Sequence, residues 1–519
     1  MSPNGERAMR RHDASPFQLG STGVDVDAVR RVAEDGVRVE ISPAALQAIG
    51  EAHTCLLRHA NAGAAIYGVS TGLGAAVDTA LAPEGGLVQH RIIEARAVGV
   101  GAAASVREVR AAMFVRLARL CLGRSGASLT AASGLGTMLN EGIHPRMPLI
   151  GSIGEADLAP LAHIAWAMTG NGEVETADGR LCSGREAFAR AGVELPRFAP
   201  KDGLALVSSN AAAVGLSCLV IGDAERTLSA ALAALALSYE AYRANLDPIS
   251  PEAMTLRPVP RGYSVAQALH RLLAGGALLE PGAARRLQDP LSLRVAPHVL
   301  AACLDALDHA RSATDIELVS SDDNPAVLVE SDRIVPNGNF DATHLALAFD
   351  ALALAMARVA ASAGERLAKL MSPASSDLPR FLAPQDQPGA NGFATLQKTV
   401  SSLVADIAHA ASPLPFTVVP VADRVEDYAS MAMPGVRRVQ GIVAHLRLLV
   451  AIELIVATQA CDLRGARLGD GTKALHAAIR DRVPPLTHDR PTSPDIATLD
   501  RAIARGELAD FCAEVSGFR

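Results

Sequence analysis

From His344 to Ala363, the apolar residues Leu345, Phe349, Leu352, Met356 and Val359 follow one another at spacings of four, three, four and three. Such spacing lines one side of an α-helix and predicts a buried stripe. Helices are predicted likewise over residues 107–122, as an amphipathic element, and over 436–461. Ser42 before Pro43 predicts a capped start for a helix reaching Asn61, because a serine hydroxyl satisfies a free amide and proline suits a first turn. An alanine-rich helix is expected from Ala211 towards Ala244, and another begins at Gly389–Phe393 and carries Gln397 and Lys398. A last one follows the proline-rich residues 483–494 and ends near Glu507. The pattern is that of an all-α protein, with no repeat of solenoid period. Three segments are expected: a flexible leader over 1–25, an N-terminal part over 26–200, and a helical-bundle part with the C-terminal helices over 201–519.

Composition narrows the class without naming an activity. Hydrophobic residues make up 49% of the 519 and charged ones 20%, the balance of a folded, soluble protein. Aromatics are only 3% while alanine and leucine dominate, which favours helix over sheet. A net charge of −7 argues against a nucleic-acid surface, and no Lys/Arg run suggests a membrane patch. The longest apolar stretches are broken by Asp350 and Arg358, or by Arg447 and Glu453, so core helices rather than membrane spans are expected. Seven scattered cysteines, without a C-x-x-C pair, read as buried thiols and not as a disulfide or zinc framework. Met1–Ser15 holds no apolar signal segment. A cytoplasmic protein without a metal is the expectation.

Two stretches carry candidate chemistry. Gly151-Ser-Ile-Gly-Glu-Ala-Asp-Leu-Ala-Pro-Leu-Ala-His163 reads as a loop entering a helix at Leu158–Pro160, with Asp157 or Ser152 as its cap. Amides at such a helix start suit an electrophilic or anionic group. Ile66-Tyr-Gly-Val-Ser-Thr-Gly-Leu-Gly74 has three glycines in seven residues, leaving backbone free to approach a ligand. It is not a phosphate loop, since no Gly-Lys-Ser/Thr follows, and it lacks the third glycine of a dinucleotide fold.

Further blocks stand in order along the chain: Val88–Arg96, Lys201–Asn210, Leu287–Arg294, Glu317–Pro325 with Asn337–Phe340, and Arg424–Met431. With the first two they resemble the aromatic amino acid (histidine) ammonia-lyase family over roughly residues 40–500. The resemblance implies an all-α, elongated helical bundle of the histidine/phenylalanine ammonia-lyase type, assembled as a homotetramer whose active sites are shared between subunits. It implies Tyr67 as the base that removes a β-proton, and Arg294, beside Gln288, as a bidentate clamp on the substrate carboxylate. Asn324 and Phe340 take pocket positions, and Glu426 that of a substrate-facing glutamate. Arg96 stands for a histidine that meets the substrate side chain, Ser208 for an asparagine that supports the family's electrophile, and Leu291 for a tyrosine. Val425 and Tyr428 depart from the family pattern.

The largest departure is in the loop. Family members carry Ala-Ser-Gly there, which cyclises and dehydrates to methylidene-imidazolone. Serine supplies the methylidene carbon and glycine the attacking nitrogen. This chain reads Gly154-Glu155-Ala156-Asp157, one residue shorter, so no such electrophile and no other cofactor is expected. Ala132-Ser-Gly134 lacks the family's flanking residues and reads as an ordinary helix or turn segment.

A carbon–nitrogen lyase without the electrophile needs a substrate with its own leaving group. A trimethylammonium betaine such as ergothioneine provides one, giving trimethylamine and thiourocanate by β-elimination; ergothionases resemble the family and lack the electrophile. On that reading Lys398 and Glu426 bind the thione sulfur and ring N–H. Glu155 or Asp157 offsets the cation, since aromatic residues, its usual surroundings, are few. A lyase or cyclase acting on another substituted amino acid stays open, as does an inactive binding protein. The presence of Tyr67, Arg294, Asn324 and Glu426 together argues against decay.

Overall fold

The computed structural model describes residues 15–81, 86–413 and 419–518. The first fourteen residues of the expected leader lie outside these. Its remainder is ordered: Phe17–Leu19 pair in parallel with Val39–Ile41, and Asp25 caps the Val26–Glu34 helix by accepting from Ala28 N at 2.7 Å.

The architecture is helical, and small strand pairs serve as clips. Ser42 caps Pro43–Asn61 through Ala45 N, as its sequence predicts. The expected 211–244 helix is Ala211–Tyr242, that at 436–461 runs longer, over Ala432–Arg464, and the Leu345–Val359 stripe lies buried within Thr343–Leu370. Lys398 sits on Leu396–Ala410, which begins after a turn region rather than at Gly389. Beyond Ser493–Ala504 a further helix, Glu507–Ser516, follows where the chain was expected to end its last one; Gly506, in the left-handed region, makes the break between them.

One expectation is corrected. The Val106–Cys121 helix is not amphipathic: residues Val109 to Cys121 are all buried, including Arg110, Arg116 and Arg119. Their guanidinium groups find partners inside the fold. Arg110 donates to Val32 O and Leu139 O, Arg116 to Asp323 at 2.7 Å, and Arg119 to Asp322 and to Glu317. A charged side chain buried in this way is tolerable only when paired.

The described residues fall into two compact units. The first is drawn from Met1–Leu219, Arg311–Leu347 and Leu414–Arg437, the second from Val220–Ala310, Ala348–Pro413 and Arg438–Arg519. In the first, Val106–Cys121 packs on Val26–Glu34 and on Leu129–Glu141, and an antiparallel sheet orders Ile143–Pro145, Glu173–Thr176 and Leu181–Ser183. In the second, Gly262–Leu273 packs on Asp470–Arg480 and Glu507–Ser516, and the buried Glu453 accepts from Arg366 at 2.6 Å and from Ser238 at 2.9 Å. Three segments, Asp202–Tyr242, Thr343–Leu370 and Ala432–Arg464, are long and apolar enough to cross a membrane. In this fold 94%, 50% and 72% of their most apolar windows are buried, so packing consumes most of that hydropathy in the first and last.

Candidate functional site

In the first unit a cavity of about 590 Å³ collects side chains from separate stretches of chain. Tyr67, Arg96, Ser208, Asn324, Phe340 and Glu426 all line it, together with Glu155 and Ala156 of the shortened loop. Arg294, Gln288 and Lys398 belong to the second unit and are not among its lining residues. Arg294 donates to Gln288 Oε1 at 2.6 Å, and Lys398 is exposed.

Tyr67 is placed by a turn that glycine makes possible. Gly68 has φ +71°, and a Cβ there would meet Leu204 Cδ2 at 2.5 Å. Gln89 ties this turn to the short Asp202–Val207 helix: its Nε2 donates to Gly68 O at 3.2 Å, while Oε1 accepts from Gly203 N at 3.0 Å and from Leu204 N at 3.3 Å. Folded back, the same turn points the Gly74 amide at the Tyr67 phenolic oxygen, 2.9 Å away. An amide donor of this kind binds most strongly an oxygen that carries negative charge. Arg96 lies beside it. Burial lowers the Arg96 guanidinium, and the nearby Tyr67 and Glu426 partly offset that effect.

The shortened loop is fixed at both ends. Asp157 stands at the start of the Leu158–Met168 helix, but its carboxylate does not cap it. Oδ1 accepts from Ser152 Oγ at 2.6 Å and Oδ2 from Ala213 N at 2.7 Å, and the Asp157 amide donates to Ser209 O at 2.6 Å. Asp157 is fully buried, which lifts its carboxyl to about 6 against the pull of those two donors. Ala156, beside the anchored Asp157, takes φ +76°, a strained conformation for alanine. Glu155 is half-buried in the cavity wall; its Oε1 accepts from Ser430 N at 2.8 Å. Burial, and more weakly the neighbouring Asp341, raise it to about 7.

Next to Ser208 and Asn324 in sequence lies a buried ionic cluster. Asp322 Oδ2 accepts from Ser209 Oγ and from Asn210 N, each at 2.7 Å, and pairs with Arg119. Lys201 donates to Pro325 O at 2.8 Å, and burial lowers its ammonium to about 8. These contacts hold Ser208 and Asn324 at the cavity from opposite chain segments. Gln89 and Asp341 were not singled out in the sequence: Gln89 lies within the Val88–Arg96 block but acts on backbone groups of Gly68, Gly203 and Leu204, and Asp341 belongs to no block. Elsewhere, Cys55, His59 and Asp332 bring three potential metal-ligating atoms within 4.8 Å of one another. Arg58 donates to the same Asp332 oxygen, so a guanidinium already balances that carboxylate.

The matches to known proteins agree with this geometry. Residues 24–481 match the family model described as aromatic amino acid lyase. The chain belongs to that family. Histidine ammonia-lyase of Symbiobacterium thermophilum is 34% identical over 489 residues, covering 94% of this chain and 96% of the relative. A crystal structure of the ergothioneine-degrading enzyme ergothionase from Treponema denticola, in complex with desmethyl-ergothioneine sulfonic acid, superposes with a TM-score of 0.91 at 29% identity, covering 95% of this chain and 99% of that one. Histidine ammonia-lyase from Trypanosoma cruzi superposes with a TM-score of 0.89 at 26% identity, over 96% of each chain. The fold is the histidine/phenylalanine ammonia-lyase fold, and this aromatic amino acid lyase is a carbon–nitrogen lyase.

Proposed function

We propose that this lyase eliminates trimethylamine from a trimethylammonium betaine of the ergothioneine kind, giving thiourocanate, without methylidene-imidazolone. The loop carries the reading. Where the family has Ala-Ser-Gly, Glu155-Ala156-Asp157 offers no serine hydroxyl to lose and no glycine nitrogen to attack, and the Asp157 amide is already donated to Ser209 O. These residues do not fit the prosthetic group. Ammonia leaves poorly without such activation, whereas a quaternary nitrogen is permanently charged and departs as a neutral amine. The similarity to ergothionase supports the choice of betaine.

In this mechanism the Tyr67 oxygen takes the β-proton, assisted by the Gly74 amide 2.9 Å away. The C–H electrons become the Cα=Cβ double bond as the Cα–N bond breaks, and the nitrogen keeps its electron pair. Arg294 holds the carboxylate, and Glu426 with Lys398 binds the thione and ring N–H. A homotetramer, in which another subunit could supply the Arg294 and Lys398 that do not line the cavity, and a cytoplasmic location complete the proposal.

Incubation with ergothioneine, other betaines and histidine tests it. Ergothioneine should yield trimethylamine and an ultraviolet-absorbing acrylate, histidine should yield no urocanate, and the intact mass should equal that of the unmodified chain. Deamination of histidine, or a mass deficit of water mapped to residues 151–160, would overturn it.

A further inference from the structure

The cavity has a composition at odds with the chain as a whole. The protein has one Trp, five Tyr and eleven Phe in 519 residues, yet Tyr67, Phe340 and Tyr428 line this single cavity. Two of them are tied to Glu155. The loop residue forms a bridge with Asp341, next to Phe340, and accepts from Ser430 N, two residues beyond Tyr428. Thr343 joins the same two segments: its Oγ1 donates to Asp341 Oδ2 at 2.8 Å and lies 2.6 Å from the Tyr428 hydroxyl. The loop is closed against this corner at Gly154, where a Cβ would stand 2.7 Å from Ala432 N, and Ser430 Oγ donates to Gly154 O at 2.8 Å. The result is a carboxyl pair, Glu155 and Asp341, with an aromatic ring contributed from each flank.

We propose that Glu155, Phe340 and Tyr428 form the subsite for the quaternary ammonium group of the substrate. The assignment rests on the elimination reading above and adds the recognition of its leaving group. Methylated cations have no N–H to donate, so hydrogen-bond acceptors alone select them poorly. Ring faces and an unneutralised carboxylate select them by charge and shape. Glu155 is suited to this and Asp157 is not: Asp157 is fully buried and spends both carboxylate oxygens on Ser152 and Ala213. Two carboxyls side by side also oppose each other's ionisation, and a cation placed against them relieves that opposition.

Tetramethylammonium is the probe, because it carries the recognised group and cannot react. Its binding to the full-length protein is followed by titration calorimetry, with tert-butanol as an uncharged probe of similar shape. The parent should bind the cation and not the alcohol. Glu155→Gln and Tyr428→Leu should each weaken the cation by roughly five-fold or more, while Tyr428→Phe, which keeps the ring, holds it near the parent value. Circular dichroism verifies the fold of each variant, and Phe340→Leu serves in place of any that fails to fold. No binding to the parent, equal binding of cation and alcohol, or parent-like affinity in folded Glu155→Gln and Tyr428→Leu would overturn the subsite. Cation binding in a parent that releases no trimethylamine from any betaine sinks the elimination reading and leaves the subsite standing. Trimethylamine release with unchanged KM in Glu155→Gln does the reverse.

Discussion

At Tyr67 one oxygen serves two masters, the Gly74 amide in the free protein and a substrate proton in the proposed reaction. Tyr67→Phe keeps the ring and its packing and removes only that oxygen. Steady-state assay should show a loss of about 10²- to 10⁴-fold in kcat with the circular dichroism unchanged; retention of more than about a tenth of the rate would exclude Tyr67 as base. Glu155 makes a separate claim on pH. Burial raises it from 4.5 to about 7, so between those values the folded chain holds a proton that the unfolded chain has released. Stability therefore falls as pH rises through that window, and the cost is complete above it. Glu155→Gln removes the titration while leaving an acceptor for Ser430. Without ligand the variant should match the parent near pH 4.5 and exceed it above pH 7; the gain is about 1 kcal/mol after allowing for the half-exposed site. Thermal melts at the two pH values decide the matter.

At the scale of elements, the Val106–Cys121 helix shows where reading the chain succeeds and where it stops. Its span, expected over residues 107–122, is legible almost to the residue, and the structure adds a cap at its start, where the Glu108 carboxylate accepts from Ser105 N at 2.6 Å. Its burial on all sides is not, because Arg110, Arg116 and Arg119 read as exposed charges until their partners arrive from residues 32, 139, 317, 322 and 323. Asp157 is similar: its place at a helix start is legible, whereas its two acceptor bonds depend on residues before and long after it. Local chemistry writes caps and stripes into the sequence, but it does not say which distant group will neutralise a buried charge. Arg119→Met puts a number on that ion cluster. Methionine fills much of the space, leaves the part-buried Glu317 without its cation and leaves the buried Asp322 with Arg116 alone, at 3.4 Å, which should cost about 3 kcal/mol. Urea unfolding measures it, and a change below about 1 kcal/mol would show the cluster to be dispensable.

At the scale of the whole molecule, the motif order along the chain anticipates a convergence that no local pattern contains. Tyr67, Arg96, Ser208, Asn324, Phe340 and Glu426 span some 360 residues of sequence and meet at one cavity. Arg294 and Gln288 come from an equally recognisable motif, Lys398 from a helix outside the motifs, and none of the three lines it. Resemblance reports that such residues work together; it leaves unsaid whether one chain supplies them all.

Two variants decide that question. Arg294→Lys keeps the charge and loses the planar fork, so kcat/KM should fall by the equivalent of about 2 kcal/mol with little effect on folding. Tyr67→Phe should be nearly inactive for its own reason. If each site takes Tyr67 from one subunit and Arg294 from another, co-refolding the two variants in equal amounts generates some sites with both residues intact. Random assortment makes these about a quarter of the total, as expected of a symmetric oligomer with shared sites. Activity should therefore recover to about a quarter of the parent value. If one chain supplies both residues, every site carries one defect and mixing restores nothing. A flat mixing curve, with the oligomer verified by sedimentation, would thus place Tyr67 and Arg294 in the same subunit's site or remove Arg294 from the site altogether, and the Arg294→Lys assay alone tells those two outcomes apart.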